Sequence, residues 1–167
     1  TPLTPPTYSA EISYDAGIST GMDVTLEVIN DAGTPVLRLW DDAFGVERGR
    51  QILDENIKVT ITGSTENLVT NKSLSDSLTI DLGYTGPAFA AYSIMVEFDG
   101  GDNLPSTPLL TIDDTVVVQH SGPDVYLPAS LFIKSTSDVT FNSGVTINGG
   151  LDVQSEELIS LTAGVGI

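Results

Sequence analysis

Apolar and polar residues alternate in several segments of the first hundred residues, and this period of two predicts strands with one buried face. In Tyr8–Tyr14 the residues Tyr8, Ala10, Ile12 and Tyr14 alternate with Ser9, Glu11 and Ser13. The same pattern predicts further strands at Met22–Ile29, Pro35–Trp40, Ile57–Thr62, Ser77–Leu82 and Tyr92–Phe98.

Turn-forming residues separate these segments, as in Asn30–Gly33 and Asp99–Asn103. The strands recur every ~8–15 residues between such turns, which is typical of a sandwich or barrel. We therefore predict an all-β fold, an antiparallel β-sandwich of the immunoglobulin-like or jelly-roll-like kind. Val46–Glu55 is predicted as a loop, because Gly49 weakens any helix there.

The pattern changes after Pro108. Short apolar segments such as Leu131–Ile133, Val139–Phe141 and Val145–Ile147 follow one another with small turns between them. They suit either a stacked, solenoid-like β layer or a few ordinary hairpins. The predicted organisation is an N-terminal arm and donor-type strand at 1–14, a sandwich at 15–107, and a short-strand region at 108–167 that either stands apart or joins the same domain.

The run Val139–Val153, VTFNSGVTINGGLDV, resembles short β-stack segments of exported bacterial surface proteins, especially those of Bacteroidota. Gly149 and Gly150 stand where that pattern usually has a proline. The resemblance covers about the C-terminal quarter of the chain, and it implies a structural segment without catalytic residues.

Charge narrows the function classes. Among 167 residues, 23 are acidic and 6 are basic, which gives a formal net charge of −17. Such a surface repels phosphate backbones, so we expect no nucleic-acid partner. No apolar run approaches the ~20 residues of a membrane helix, so we expect no membrane insertion. The chain begins with Thr1, is rich in Ser and Thr and poor in Lys, and has no cysteine. This composition favours an exported, extracellular or cell-surface protein.

Candidate chemistry is sparse, and we predict that the protein is not an enzyme. His120 is the only histidine, and its neighbours Ser121 and Asp124 are too close in sequence to favour a catalytic triad. No cofactor is required. Ca²⁺ is the candidate ion, because it prefers oxygen ligands from acidic loops. Asp99, Asp102 and Asn103 form the best predicted site, and solvated turn residues are the alternative interpretation.

Aromatic residues offer a second kind of site. Trp40, Tyr84 and Tyr92 could form a face that stacks against sugars, which would make glycans a partner. The alternating run that contains Trp40 favours a core position for that residue.

Assembly is the leading functional hypothesis. The arm Thr1–Thr7 contains three prolines and precedes a strand in which Tyr8, Ala10, Ile12 and Tyr14 share one face. Lysine, the usual guard of strand edges, is scarce, and the tail after Glu157 is uncharged. We therefore predict a secreted structural subunit that forms a filament, sheath or surface layer with copies of itself by strand complementation. The alternative is a calcium-assisted carbohydrate-binding or adhesin module.

Overall fold

A computed structural model describes residues 7–17, 21–64, 75–100, 114–122, 124–147 and 149–162 of the chain. These residues form twelve strands in two sheets and no helix. Sheet A contains β1 (Ala10–Asp15), β5 (Ile57–Thr62), β7 (Ile94–Asp99), β9 (Ser130–Ser135) and β11 (Gly150–Ser155). Sheet B contains β2 (Asp23–Asp31), β3 (Thr34–Asp41), β4 (Val46–Ile52), β6 (Ser77–Asp81), β8 (Thr115–Gln119), β10 (Asp138–Phe141) and β12 (Ile159–Leu161).

The chain crosses from one sheet to the other and back, so the strands stack as a two-sheet solenoid. Each coil consists of one sheet A strand and the sheet B strand that follows it: β1–β2, β5–β6, β7–β8, β9–β10 and β11–β12. Sheet A is parallel throughout, in the order β1-β5-β7-β9-β11. Sheet B is parallel from β2 through β6, β8, β10 and β12.

The predicted antiparallel sandwich is therefore wrong, although most strands form where the alternation placed them. Alternation fixes which side chains point inward and does not fix the direction of the neighbouring strand. In sheet A, 31 residues separate Thr62 from Ile94 and 30 separate Asp99 from Ser130, and each of these returns passes through a strand of sheet B. A return to a parallel neighbour needs a connection of about a dozen residues or more, which these lengths provide.

Strands from both sides of residue 108 share the same two sheets. In sheet A, β7 pairs with β9, and in sheet B, β6 pairs with β8. Except for Val36 and Phe132, the buried apolar residues of the described chain form one core cluster.

In-register pairing arranges the core side chains in columns that run from coil to coil. One sheet A column consists of Ile12, Val59, Val96, Ile133 and Val153. One sheet B column consists of Leu26, Ile80, Val118, Phe141 and Leu161. Most of these side chains are buried in the common cluster, so each coil is stabilised chiefly by its neighbours.

The hairpin β3–β4 covers the β1–β2 end of the solenoid. It follows β2 through a tight turn in which Ala32 and Gly33 both have positive φ, as a two-residue type I′ hairpin requires. On the other side β4 reaches β1, where the Gln51 side-chain amide donates to the Glu11 carbonyl at 3.2 Å. A Cβ at Gly49 would lie 2.7 Å from Cγ2 of Ile12, so glycine permits this close approach.

The prediction of a loop at Val46–Glu55 is therefore wrong. Val46–Ile52 forms β4 and pairs antiparallel with β3, with a change of register at Leu39 and Trp40. The glycine that argued against a helix instead marks the point where β4 packs on the Ile12 side chain of β1.

We predict that the hairpin contributes to stability through its inward side chains. Leu39→Ala, at a position that is 0% exposed, should lower the free energy of unfolding by about 2–5 kcal/mol because it leaves a cavity. Thr34→Ala on the same strand is the matched control, since Thr34 is exposed, and it should change stability by less than about 0.5 kcal/mol. Urea unfolding followed by fluorescence measures both. Equal effects would show that the hairpin does not pack as described.

Candidate functional site

The outer face of sheet A carries a groove with a volume of about 580 Å³. Three consecutive residues at the C-terminal end of each of β5, β7, β9 and β11 line it, and Thr136 and Glu156 are the residues that directly follow β9 and β11. The register places Thr60, Glu97, Lys134 and Gln154 side by side in one row across the four strands. These side chains point away from the core because they alternate with buried core residues such as Val59 and Val96.

A second polar row lies two residues further along the strands and consists of Thr62, Asp99, Thr136 and Glu156. The groove therefore presents hydroxyl, carboxylate, amide and ammonium groups together. Nζ of Lys58, in the neighbouring row, lies 3.5 Å from a carboxylate oxygen of Glu97. The Thr136 hydroxyl accepts a hydrogen bond from the Gly100 amide at 3.0 Å, which ties the groove to the strand ends.

The predicted calcium site falls partly in this groove. Asp99 is exposed at its rim, while Asp102 and Asn103 lie outside the described residues. Within the described ranges, no group of three or more acidic or histidine side chains is arranged to hold a metal ion.

The three predicted stacking aromatics do not form one face. Trp40 lies half-buried on the outer side of β3, where the Arg38 guanidinium sits 4.6 Å from its ring. Tyr84 and Tyr92 instead belong to a self-packed cluster where the chain leaves β6. The Phe89 ring stacks on Tyr126 at 5.1 Å and meets Tyr84 edge-to-face at 5.2 Å.

Hydrogen bonds also occupy this aromatic cluster. The Tyr126 hydroxyl donates to the Tyr92 carbonyl at 3.0 Å and accepts from the Tyr92 amide at 3.1 Å. A cleft of about 370 Å³ borders the cluster beside Asp124 and Leu127. Tyr84 is only 9% exposed, so its ring offers little free surface for a ligand.

His120 lies at the end of β8 and is half-buried. Its Nδ1 atom is buried without a hydrogen-bond partner among the described residues. The neighbouring Ser121 amide donates to Asp81 at 2.9 Å. The described contacts therefore tie Ser121 to a carboxylate on β6 and give no sign of a pair between Ser121 and His120.

Buried aspartates join neighbouring coils where the chain enters sheet B. One carboxylate oxygen of Asp76 accepts from the Met22 amide at 2.6 Å and the other from the Ser64 amide at 3.0 Å. The Asp76 amide in turn donates to the Asp114 carboxylate at 2.7 Å. Burial raises the pKa of Asp76, and hydrogen bonds from Ser64 and Met22 offset this only in part.

Asp81 performs a similar role where the chain leaves sheet B. It accepts from the amides of Gly83 at 2.8 Å and Ser121 at 2.9 Å, and so joins two coils. Burial by itself raises the pKa of Asp81, but the hydrogen bonds from Gly83, Ser121 and Gln119 outweigh it and the net shift is downward. These carboxylates are structural, and Asp76, Asp81 and Asp114 are not among the residues that line the groove.

The two ends of the solenoid carry the exposed apolar side chains. The large hydrophobic residues that are exposed in the described chain divide three and three between the ends. The hairpin end has Phe44, Val46 and Ile52, and the opposite end, which we call the open end, has Leu158, Ile159 and Leu161. The second set belongs to the uncharged tail after Glu157, which the sequence already marks as an unguarded segment. The sequence does not mark the first set, because it predicts a loop at Val46–Glu55.

The predicted assembly strand has partners within its own chain. β1 pairs parallel with β5, which places Ala10, Ile12 and Tyr14 beside Ile57, Val59 and Ile61. Just before β1, Asn56 donates to the Thr7 carbonyl at 3.2 Å, and burial raises the pKa of the Tyr8 hydroxyl to about 12. Residues 1–6 of the predicted arm lie outside the described residues.

Comparison with protein-family models, curated proteins and solved structures gives no match for this chain. The resemblance of Val139–Val153 to surface-protein segments therefore stays a prediction. Among the described residues, no helix has the length and apolar character needed to cross a membrane.

The lowered pKa of Asp81 predicts how stability depends on pH. An aspartate with a lower pKa in the folded state adds to the free energy of unfolding at pH values above ~3.9, the pKa of aspartate in the unfolded chain. This added stability is lost as the pH falls through the pKa of the folded state. Asp81→Asn should therefore destabilise the protein near neutral pH by about 1 kcal/mol, since charge-assisted hydrogen bonds become neutral ones. The difference from the wild type should shrink in acid.

Urea unfolding at a series of pH values measures this difference. Asp54→Asn, which removes one charge at an exposed turn, is the control and should leave a nearly constant difference. A destabilisation by Asp81→Asn that does not depend on pH would contradict the assigned role.

Proposed function

We propose that the protein is a structural subunit that assembles end to end, the open end of one copy docking on the hairpin end of the next. The observation that carries the proposal is that the core side chains on β12 face inward and are nevertheless exposed. Ile159 and Leu161 occupy the same inward positions as Val139 and Phe141 in the coil below. Val139 and Phe141 are 0% exposed, whereas Ile159 is 43% and Leu161 is 58% exposed.

An exposed end of this kind favours a partner. Burying a leucine or isoleucine side chain fully contributes about 1.5–3 kcal/mol, and a further strand beside β12 would also pair its free backbone groups. Within the described chain, β12 and β11 each have one neighbouring strand, so a second copy could extend both sheets.

Charge and strand direction favour the hairpin end as the partner surface. Residues 34–52 contain three arginines and three acidic residues, whereas residues 135–167 contain four acidic residues and no Lys or Arg. Docking open end to open end would bring like charges together, and docking on the hairpin avoids this. β4 is antiparallel to β3, which is antiparallel to β2, so β4 runs in the same direction as β12. Contact between the two would continue the parallel order.

Head-to-tail contacts use two different surfaces and form open filaments unless the rotation closes a ring. The high negative charge along the sides would keep such filaments apart. An exported, cell-surface setting remains part of the proposal and is supported by composition. The contact proposed here replaces donation of residues 8–14, because β1 already has a partner in its own chain.

We predict concentration-dependent assembly that either end can block. By light scattering after size-exclusion chromatography, the wild type should exceed 17.6 kDa and grow with concentration. Leu161→Glu at the open end and Ile52→Glu at the hairpin end should each yield monomers, because each buries a charge in the contact. Ala90→Glu, at an exposed loop position, is the control and should assemble like the wild type.

Mixing the two blocked variants tests the orientation. Each retains one intact end, so an equimolar mixture should form a one-to-one dimer that neither variant forms alone. Dimers of Ile52→Glu by itself would indicate open-end-to-open-end contact and would overturn the head-to-tail arrangement. A wild type that stays monomeric at all concentrations would overturn the assembly proposal.

A further inference from the structure

We infer that the groove on sheet A binds an extended neutral polysaccharide that lies across the strands, along the row Thr60, Glu97, Lys134 and Gln154. This site is distinct from the ends used for assembly. It also differs from the aromatic residues considered from the sequence, and it requires no calcium.

The chemistry of the lining narrows the ligand class. The outward side chains in the two rows are all polar, while the apolar lining residues Ile61 and Phe98 are buried in the core, so polar groups dominate the contacts open to a ligand along the rows. Glu97, Asp99 and Glu156 repel phosphate and carboxylate polymers. Neutral sugars present dense hydroxyl groups that both donate and accept hydrogen bonds, which matches a groove holding donors and acceptors together.

The exposed side chain of Lys134 strengthens this interpretation. Lys134 forms no ion pair within the described chain, although Glu97 occupies the neighbouring position on β7. Its three N–H donors therefore remain available beside the carboxylate of Glu97 and the amide of Gln154. A donor flanked by two acceptors can bind adjacent hydroxyl groups of one sugar ring.

The spacing of the strands suits a repeating ligand. Neighbouring strands lie ~4.8 Å apart, which is close to the length of one sugar ring in an extended chain. The row crosses four strands in register, so successive rings of a polymer would meet successive side chains. The weak contacts of the individual rings then combine to raise the affinity of the groove for the polymer.

Affinity electrophoresis through gels that contain xylan, mannan, a mixed-linkage β-glucan, amylose or the acidic polymer alginate tests the inference. Leu161→Glu serves as the background, so that assembly does not affect mobility. We expect retardation by at least one neutral polymer, and the same retardation with EDTA present. Lys134→Ala combined with Gln154→Ala should weaken this binding about tenfold or more, because it removes hydrogen bonds from the row.

Asp54→Ala, at an exposed turn outside the groove, is the matched control and should bind like the background protein. Retardation by none of the polymers, retardation by alginate alone, loss of binding with EDTA, or unchanged binding by the double variant would each overturn the inference. None of these results bears on the assembly proposal, which depends on the masses of the end variants.

Discussion

In-register stacking of parallel strands is the constraint on which the rest of the structure depends. A single coil cannot bury its own apolar face, since its inward side chains need those of the coils on either side. The columns through Val59 and Ile80 show the result, because both residues have neighbours above and below and are almost completely buried. The same rule leaves any end coil short of contacts, so the two ends become the places where the structure must be completed.

The two ends meet this requirement in different ways. At one end the β3–β4 hairpin extends sheet B and folds onto β1, with Gly49 against Ile12. At the other end the last members of the columns in the described chain are Val153 and Leu161, and Leu161 is largely exposed. The arginines of the chain lie in the hairpin, whereas acidic residues lie just before β12. Electrostatic repulsion would therefore be smaller in a head-to-tail contact than in a symmetric contact between two open ends.

Buried carboxylates hold the corners where the chain changes sheets. Asp76 and Asp81 each bind backbone amides from two positions along the chain, which satisfies donors that the strand ladders leave unpaired. Their opposite pKa shifts reflect different balances between burial and hydrogen bonding. The acidic composition that the sequence presented as a surface property therefore also contributes to the interior.

Alternation along the chain was sufficient to locate most strands and their inward faces, because the side-chain period of a strand is a local property. Ile57, Val59 and Ile61 could be assigned to the core from the sequence for this reason. The direction of pairing could not be assigned, because it depends on which distant strands meet. The groove was missed for the same reason: Thr60, Glu97, Lys134 and Gln154 are separated by 20 to 37 residues in the chain and become neighbours only through the register of sheet A. The sequence by itself determined the all-strand character, the negative charge and the alternating faces. Only the tertiary structure decided the parallel order, the capped and open ends and the polar groove, since each arises from contacts between strands far apart in the chain.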